Sequence, residues 1–197
     1  MHYYIELTLI KDSEISPYFI WSKLYTQLHL AFVEQKDANE QIPYGVTFPE
    51  YKSAEIKGKR IILLGSKLRV FANSVNELQK LDLDKWLARL TDYVHIKSAK
   101  QVENVTQYLT VNRYRPQASA ENLARRYARR HGISVEGALK RLDGFKQKLE
   151  PLPYIQLKSL SGTREFSLCI KQTVVEQANT GKFSTYGLSA TSSVPHW

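Results

Sequence analysis

Positive charge is concentrated in one segment of this chain, and that concentration limits the folds and functions open to it. Residues 113–148 carry ten basic side chains and three acidic ones, which accounts for +7 of the net charge of +9. The rest of the 197 residues are close to neutral, and the chain as a whole is 43% hydrophobic, enough for a packed core. One region therefore carries the electrostatic function, and it favours a polyanionic partner: nucleic acid, a membrane surface or an acidic protein.

Composition excludes several classes of protein. The chain has one cysteine, Cys169, so it can form neither an intramolecular disulfide framework nor a cysteine-rich metal site. It has no apolar run near the roughly 18 residues that a membrane span requires. Residues 1–6 lack the basic and apolar stretches of a signal peptide. We therefore expect a soluble cytoplasmic protein, with one large domain or two small ones.

Strand and helix patterns alternate in the N-terminal half. Ile5, Leu7 and Leu9 alternate with polar residues, as in a half-buried strand. Pro17 opens a helix to about Glu34, with an apolar stripe at Ile20, Leu24, Leu28, Ala31 and Phe32. Further patterns predict a strand at 44–48, a hairpin of 60–64 with 67–71 across Gly65-Ser66, a helical region capped by Ser74 and Glu77, and a strand at 93–96. This order predicts a ferredoxin-like domain over residues 1–97.

Residues 98–197 form the second predicted domain, which makes the fold class α+β. A helix is expected from Ala120 to Arg130, ended by His131-Gly132, and a second helix after Ser134. Three segments near the C-terminus alternate like strands of an antiparallel sheet: 154–160, 165–171 and 183–188.

The first of these two helices places its arginines on one face. At 100° per residue the arginines span an arc of about 140°, and the apolar side chains lie opposite. The charged members are Arg125, Arg126, Arg129 and Arg130; the apolar ones are Leu123, Ala124, Tyr127 and Ala128. No acidic residue accompanies the arginines, and phosphates would neutralise their mutual repulsion.

Charge alone leaves three interpretations of this helix open. Residues 120–142 resemble a helix-turn-helix for duplex DNA. An arginine-rich helix can also lie along an RNA hairpin and bind its phosphates. The third interpretation is an ordinary solvated helix face.

His29 is the candidate for chemistry among the five histidines. It lies at the border of the apolar stripe of the first helix, one turn after Tyr25 and two after Trp21. No histidine has another His, Cys or carboxylate at metal-ligand spacing, so we expect neither a metal nor another cofactor. From its position alone, a histidine there is more often a packed, hydrogen-bonded side chain than a catalyst.

Several segments together resemble one known family. They are Leu28-His29, Gly45-Val46-Thr47-Phe48-Pro49, Arg125-Arg126-Tyr127-Ala128-Arg129-Arg130-His131, Ser159-Leu160-Ser161, Phe166, and Phe183-Ser184-Thr185-Tyr186-Gly187-Leu188-Ser189. In this order and spacing the chain resembles the Csy-type CRISPR repeat-RNA endoribonucleases of type I-F systems over nearly its whole length. The resemblance implies a ferredoxin-like (RRM-like) domain followed by an RNA-binding part that contains the arginine helix.

The resemblance also implies an activity and partners. Such enzymes cleave precursor CRISPR RNA 3′ of the repeat stem-loop without a metal, leaving a 5′-hydroxyl and a cyclic or 3′ phosphate. They stay on the product hairpin and join the other subunits of the type I-F surveillance complex. We expect this chain to be a monomer on its own. Two alternatives are a non-catalytic subunit that binds the RNA hairpin and a DNA-binding regulator.

The resemblance assigns roles to individual residues. It implies that His29 is the catalytic histidine, that Ser159 holds the attacking ribose and that Tyr186 orients the histidine. RNA contacts are implied for Arg113, Arg115, Arg125, Arg126, Arg129, Arg130, Ser161 and Phe166. Arg115 departs from the family pattern, because a glutamine stands there in a known member; in this chain Gln117, two positions further on, is the alternative to Arg115 for that role. Asn122 and Ala124 likewise replace arginines at the start of the helix.

Overall fold

A computed structural model of the chain describes residues 1–56, 58–147, 150–159, 162 and 164–197. The fold combines helices with antiparallel sheets, as predicted. The helices are α1 (Pro17–Glu34), α2 (Val75–Lys80), α3 (Leu83–Trp86), α4 (Ala120–His131) and α5 (Val135–Lys140). The strands are β1 (Tyr3–Leu9), β2 (Gln41–Ile42), β3 (Gly45–Thr47), β4 (Lys52–Ile56), β5 (Lys59–Leu63), β6 (Lys67–Ala72), β7 (Val94–Ile96), β8 (Lys100–Gln101), β9 (Gln107–Tyr114), β10 (Tyr154–Lys158), β11 (Glu165–Val175), β12 (Phe183–Ser184) and β13 (Ser189–His196).

The first sheet has the strand order β3-β6-β1-β7, and its neighbouring strands are antiparallel. The alternation in β1 is confirmed, because Ile5, Leu7 and Leu9 are buried. Helix α1 begins at Pro17 as predicted and buries the whole expected stripe together with Trp21 and Tyr25. The second sheet has the order β10-β11-β9-β13 and is also antiparallel.

Residues 60–64 and 67–71 do not form the predicted hairpin. Strand β5 pairs with β4, whereas β6 pairs with β1 and β3. The segment between them is bound elsewhere: the Gly65 carbonyl accepts the indole N–H of Trp21 at 3.1 Å, and the Ser66 carbonyl accepts Leu9 N–H at 2.8 Å. The prediction is wrong because these partners are distant in sequence, and two short strands beside a Gly-Ser pair do not reveal them.

The strand predicted at 183–188 is also wrong beyond Ser184. Only Phe183–Ser184 forms a strand, paired with β2, and a turn follows. Gly187 in this turn has a φ of +70°, a left-handed conformation that ends the extended pattern. The capping prediction is confirmed, because Glu77 N–H donates to Ser74 Oγ at 3.2 Å.

Contacts divide the chain into two compact units, residues 1–114 with 152–197, and residues 115–151. This division differs from the expected boundary near residue 97. Strand β9 lies between β11 and β13, and side chains from both sides of position 97 share one core, such as Leu7 and Leu109. Helix α1 is joined to β10 by the Ser22 hydroxyl, which donates to the Gln156 carbonyl at 2.6 Å. No helix in the described ranges is both long and apolar enough to cross a membrane.

Glu6 is a buried carboxylate that links three elements of the first unit. It accepts Arg69 Nε at 2.9 Å and Lys97 Nζ at 2.7 Å. Burial by itself would raise the pKa of Glu6, but the hydrogen bonds and charges of Lys97 and Arg69 outweigh it and lower the pKa. The ionised carboxylate therefore stabilises the fold.

We expect Glu6→Gln to lower the free energy of unfolding by about 2–3 kcal/mol at pH 7, because the mostly buried Arg69 loses its counter-charge. Since the pKa is lowered in the fold, this contribution is present above the ordinary Glu pKa and is lost as the pH falls through the folded value. Urea unfolding at pH 7 and pH 3 measures both effects. Glu40→Gln, which removes the exposed partner of Lys36, is the matched control and should leave the midpoint unchanged. Equal effects of the two substitutions would contradict the prediction.

Candidate active site

A cleft of about 190 Å³ opens in the first unit beside α1, β10, β11 and the turn after β12. Its lining consists of Thr26, His29, Leu157, Lys158, Ser159, Phe166 and Tyr186. The structure thus brings together the three side chains predicted to be catalytic, and it adds Phe166, one of the predicted RNA contacts.

The imidazole of His29 is held at two points. Its Nδ1 lies 2.7 Å from the Thr185 carbonyl oxygen, and its ring stacks on the Tyr186 ring with centroids 4.0 Å apart and an interplanar angle of 3°. A carbonyl only accepts hydrogen bonds, so Nδ1 carries the proton. In the neutral ring, Nε2 is then the nitrogen that can accept one.

The pKa of His29 favours this neutral form. Burial lowers the pKa below its usual value, and the hydrogen bond to Thr185 opposes that shift without cancelling it. At neutral pH the imidazole is therefore mostly unprotonated and can act as a base.

The turn beside His29 is anchored through three consecutive carbonyls. Thr185 O is bound by His29, Tyr186 O accepts the Tyr25 hydroxyl at 2.8 Å, and Gly187 O accepts Val46 N–H at 3.1 Å. Burial raises the pKa of Tyr25, so its hydroxyl stays protonated and remains a donor. Helix α1 and strand β3 together determine where the Tyr186 ring lies.

Gly187 allows this turn to approach the core closely. A Cβ at this position would lie 2.7 Å from Val46 Cγ1 and 3.0 Å from Phe32 Cε2. The positive φ of +70° is a second reason why other residues are strained there. The glycine in the Tyr186-Gly187 pair is thus a structural requirement of the site.

Ser159 lies directly after β10, at the open end of the pair β10–β11. Its N–H donates to the Arg164 carbonyl at 2.9 Å, which continues the antiparallel pairing by one residue. This pairing places Ser159 at the mouth of the cleft on a short extension of the sheet. Ser161, which the resemblance places near the scissile phosphate, lies outside the described residues.

Phe166 and Arg113 form a pair on β11 and β9, the inner strands of the second sheet. Phe166 is the second residue of β11 and is half-buried: it packs against the core and also lines the cleft. The guanidinium carbon of the exposed Arg113 lies 5.1 Å from the centre of the Phe166 ring. Two of the predicted RNA contacts are therefore neighbours of the cleft.

The arginine helix α4 belongs to the second unit and is built as predicted. Ser119 caps its first turn, and Gly132, with φ +65°, ends it. Ala124 and Ala128 are buried against Ala138 of α5, and the arginines of the opposite face are exposed: Arg125, Arg126, Arg129 and Arg130.

None of these four arginines forms an ion pair with a carboxylate among the described residues, whereas Lys140 on α5 pairs with Glu136 at 3.4 Å. Arg115, also in the second unit, is exposed. The helix therefore presents a row of cations whose charge is not neutralised within the described part of the chain.

Sequence reasoning missed several residues of the site. Thr185 and Tyr25, which position His29 and Tyr186, were not predicted, and neither were Thr26 and Lys158. Tyr25 is one helical turn before His29, which puts the two residues near each other, but its hydrogen-bond partner is 161 residues away. No group of three or more His, Cys, Asp or Glu side chains that could hold a metal occurs in the described segments.

Comparison with known proteins defines the class to which this fold and site belong. Residues 4–197 match the family model of the CRISPR-associated protein Cas_Csy4, and the chain belongs to this family. A CRISPR-associated endonuclease Cas6/Csy4 of Pseudomonas aeruginosa (strain UCBPP-PA14) is 33% identical over 196 residues, 99% of each chain. The protein of the same description from Escherichia coli (strain UTI89 / UPEC) is 29% identical, also over 99% of each chain.

Two solved structures show a weaker similarity. One is described as an RAMP protein binding different RNA substrates; it has a TM-score of 0.37, 11% identity and coverage of 98% of this chain and 99% of its own. The other, described as the product of a Cas6-related gene from Pyrococcus furiosus, has a TM-score of 0.36, 11% identity and coverage of 99% and 98%.

The hydrogen bond from the Tyr25 hydroxyl to the Tyr186 carbonyl leads to a prediction about His29. In Tyr25→Phe the Tyr186 carbonyl loses its donor, so the turn should loosen and expose His29 to water. The pKa of His29 should then rise towards its ordinary value of about 6.5. NMR titration of the histidine ring protons measures this shift.

Tyr44→Phe is the matched control for Tyr25→Phe. Tyr44 is equally buried, and its hydroxyl also donates to a backbone carbonyl, that of Glu77 at 2.9 Å. Both substitutions should cost about 1–2 kcal/mol of stability, but only Tyr25→Phe should move the His29 pKa. An unchanged His29 pKa in Tyr25→Phe would show that the Tyr25 hydroxyl is not needed to hold the turn against His29.

Proposed function

We propose that this protein is an endoribonuclease that cleaves precursor CRISPR RNA on the 3′ side of the repeat stem-loop, without a metal. The products are a 5′-hydroxyl and a cyclic or 3′ phosphate. The enzyme stays bound to the product hairpin and joins the other subunits of the type I-F surveillance complex. The observation that carries this proposal is the meeting of His29, Ser159 and Tyr186 at one cleft in a chain of the Csy4 family.

His29 acts as the general base in this proposal. RNA carries its own nucleophile, the 2′-hydroxyl next to the scissile phosphate, so the enzyme needs to align it and remove its proton. With Nδ1 bound to Thr185, Nε2 accepts the proton, and the lowered pKa keeps the ring ready to do so at neutral pH. A positioned histidine of this kind contributes about 10²–10⁴-fold to the rate.

Ser159 and Tyr186 position the reacting groups: Ser159 aligns the ribose, and Tyr186 holds the imidazole in place. The Ser159 hydroxyl holds the ribose so that the 2′-oxygen, the phosphorus and the 5′-oxygen are in line. The 2′-oxygen forms a bond to phosphorus, the bond to the 5′-oxygen breaks, and that oxygen is protonated to a 5′-hydroxyl. Tyr186 holds the imidazole flat against its own ring, so that the base does not rotate away.

The arginine helix binds the stem-loop. Arg125, Arg126, Arg129 and Arg130 contact phosphates, Phe166 stacks on the base of the stem, and Arg113 and Arg115 read bases in the lower stem. Phe166 and Arg113 support this proposal, because Phe166 lines the cleft and the Arg113 guanidinium lies against the Phe166 ring. The strand order β3-β6-β1-β7, with α1 after β1 and α2 after β6, supports a ferredoxin-like first domain.

A helix-turn-helix DNA regulator fits the structure less well. In that motif the second helix enters the major groove. Here the second helix, α5, has only six residues and its Lys140 is paired with Glu136, whereas the exposed arginines are on the first helix. A subunit that only binds hairpin RNA would need no ordered imidazole in a cleft that a serine also lines, so the cleft favours catalysis over binding alone.

The proposed role of His29 predicts a separation of cleavage from binding. His29→Ala should abolish cleavage of the repeat hairpin in EDTA, while hairpin affinity stays within a few-fold. A 2′-deoxy substitution at the cut site should block the wild-type enzyme, because the nucleophile is gone. Cleavage is followed on denaturing gels and affinity by filter binding.

His95→Ala is the control for this experiment, since His95 is exposed on β7, and it should cleave normally. Cleavage of the 2′-deoxy substrate would exclude the mechanism. Joint loss of binding and cleavage in His29→Ala would make His29 a structural residue.

The arginine helix predicts a salt dependence. If its four arginines neutralise about four phosphates, the logarithm of hairpin affinity should fall with the logarithm of salt concentration with a slope of roughly −3 to −4. Arg129→Ala should make that slope shallower by about 1 for hairpins of any sequence. Lys36→Ala removes the same charge from an exposed pair with Glu40 and should leave the slope unchanged. Equal slopes for Arg129→Ala and the wild type would show that α4 is not part of the RNA interface.

A further inference from the structure

Exposed aromatic side chains cluster where α1 begins. Tyr18 is 67% exposed and Phe19 is 55% exposed, although both lie on the main helix of the first unit. Lys23 Nζ lies 5.1 Å above the centre of the Phe19 ring. Large apolar groups that stay in water beside a cation indicate a binding surface rather than a structural need.

Strand β10 continues this surface. Tyr154, Gln156 and Lys158 are exposed and alternate with buried Ile155 and Leu157. We call Phe19, Lys23, Tyr154, Gln156 and Lys158 the α1–β10 surface. Its two elements are joined by the hydrogen bond from Ser22 Oγ to Gln156 O, 2.6 Å long.

The α1–β10 surface leads directly into the cleft. Thr26 and Lys158 line the cleft. Thr26 is one turn after Ser22 and donates to its carbonyl at 2.7 Å. The exposed Phe19 and the half-buried Thr26 and His29 follow one another along one side of α1. A chain with its phosphate at His29 can therefore continue along this helix without leaving the protein.

The chemistry of the surface fits single-stranded RNA. Single strands bind where exposed aromatic rings stack on bases and cations follow the backbone. Phe19 provides a ring, and Lys23 and Lys158 provide the charges. The ten helical steps from Phe19 to His29 span about 15 Å, which matches roughly four nucleotides at the 3.4 Å spacing of stacked bases.

We propose that the α1–β10 surface binds the single-stranded RNA that continues 3′ of the cut, on the far side of the scissile phosphate from the hairpin. This inference rests on the proposed function, because it assigns the cleft to the scissile phosphate. It makes the flanking strand part of the recognised substrate, with little dependence on base sequence since every base has a face that can stack.

The experiment compares two RNAs that carry the hairpin of the CRISPR repeat encoded beside the gene. One ends one nucleotide after the cut site and the other extends five nucleotides further; both carry a 2′-deoxy residue at the cut site. Fluorescence anisotropy gives their affinities for the full chain. The longer RNA should bind the wild type about tenfold more tightly, and Phe19→Ala/Lys23→Ala should remove that advantage without weakening the shorter RNA.

Lys52→Ala/Leu63→Ala is the matched control, because Leu63 is exposed and Lys52 is its cross-strand neighbour on the separate hairpin β4–β5. This control should keep the full advantage of the longer RNA. The inference is overturned if the extra nucleotides add no affinity to the wild type. It is also overturned if Phe19→Ala/Lys23→Ala lowers the affinity for both RNAs equally or for neither of them. That result would indicate that the surface binds a protein partner instead.

A separate experiment tests the proposed function. If the wild type leaves the all-ribose hairpin RNA intact, the proposed function is wrong. The affinity comparison of the two 2′-deoxy RNAs does not depend on that result, because those RNAs are not cut. An enzyme that cleaves but ignores the flank would refute only the inference. Melting curves of both double variants establish that they are folded.

Discussion

The hydrogen bond between His29 Nδ1 and the Thr185 carbonyl is the contact on which the candidate active site depends. It joins the main helix of the first unit to a turn far along the chain, and it determines which ring nitrogen is protonated. The neighbouring carbonyls of the same turn are bound by Tyr25 and by the backbone of β3. The imidazole is therefore positioned by the core itself rather than by a flexible loop.

The candidate active site and the arginine helix depend on opposite degrees of exposure to water. The cleft relies on burial, which keeps His29 neutral and Tyr25 protonated. The arginine helix relies on exposure: its alanines pack on α5, and its guanidinium groups stay in water. The neutral imidazole and the exposed arginines thus belong to different units of the chain, and each is set up by contacts within its own unit.

Local features were the ones that could be predicted from sequence. The start and buried stripe of α1, the start and glycine end of α4, and the Ser74–Glu77 cap depend on neighbours within a few residues, and all are confirmed. The hairpin at Gly65-Ser66 was wrong because strand pairing is decided by partners far away in sequence, here β1, β3 and β4. The strand at 183–188 was wrong beyond Ser184 for a similar reason, since the carbonyls of the turn that follows are bound by His29, Tyr25 and Val46.

The sequence by itself determined where the positive charge lies, which face of α4 carries it and which family the chain resembles, because these properties follow from residue identity and order. Only the tertiary structure decided that His29, Ser159, Phe166 and Tyr186 share a cleft, and that the Thr185 carbonyl, in a turn that Tyr25 anchors, holds the imidazole in one tautomer. The physical reason is distance along the chain. Hydrogen bonds and burial that shift a pKa come from residues more than 150 positions apart, and no local pattern records which of them will meet.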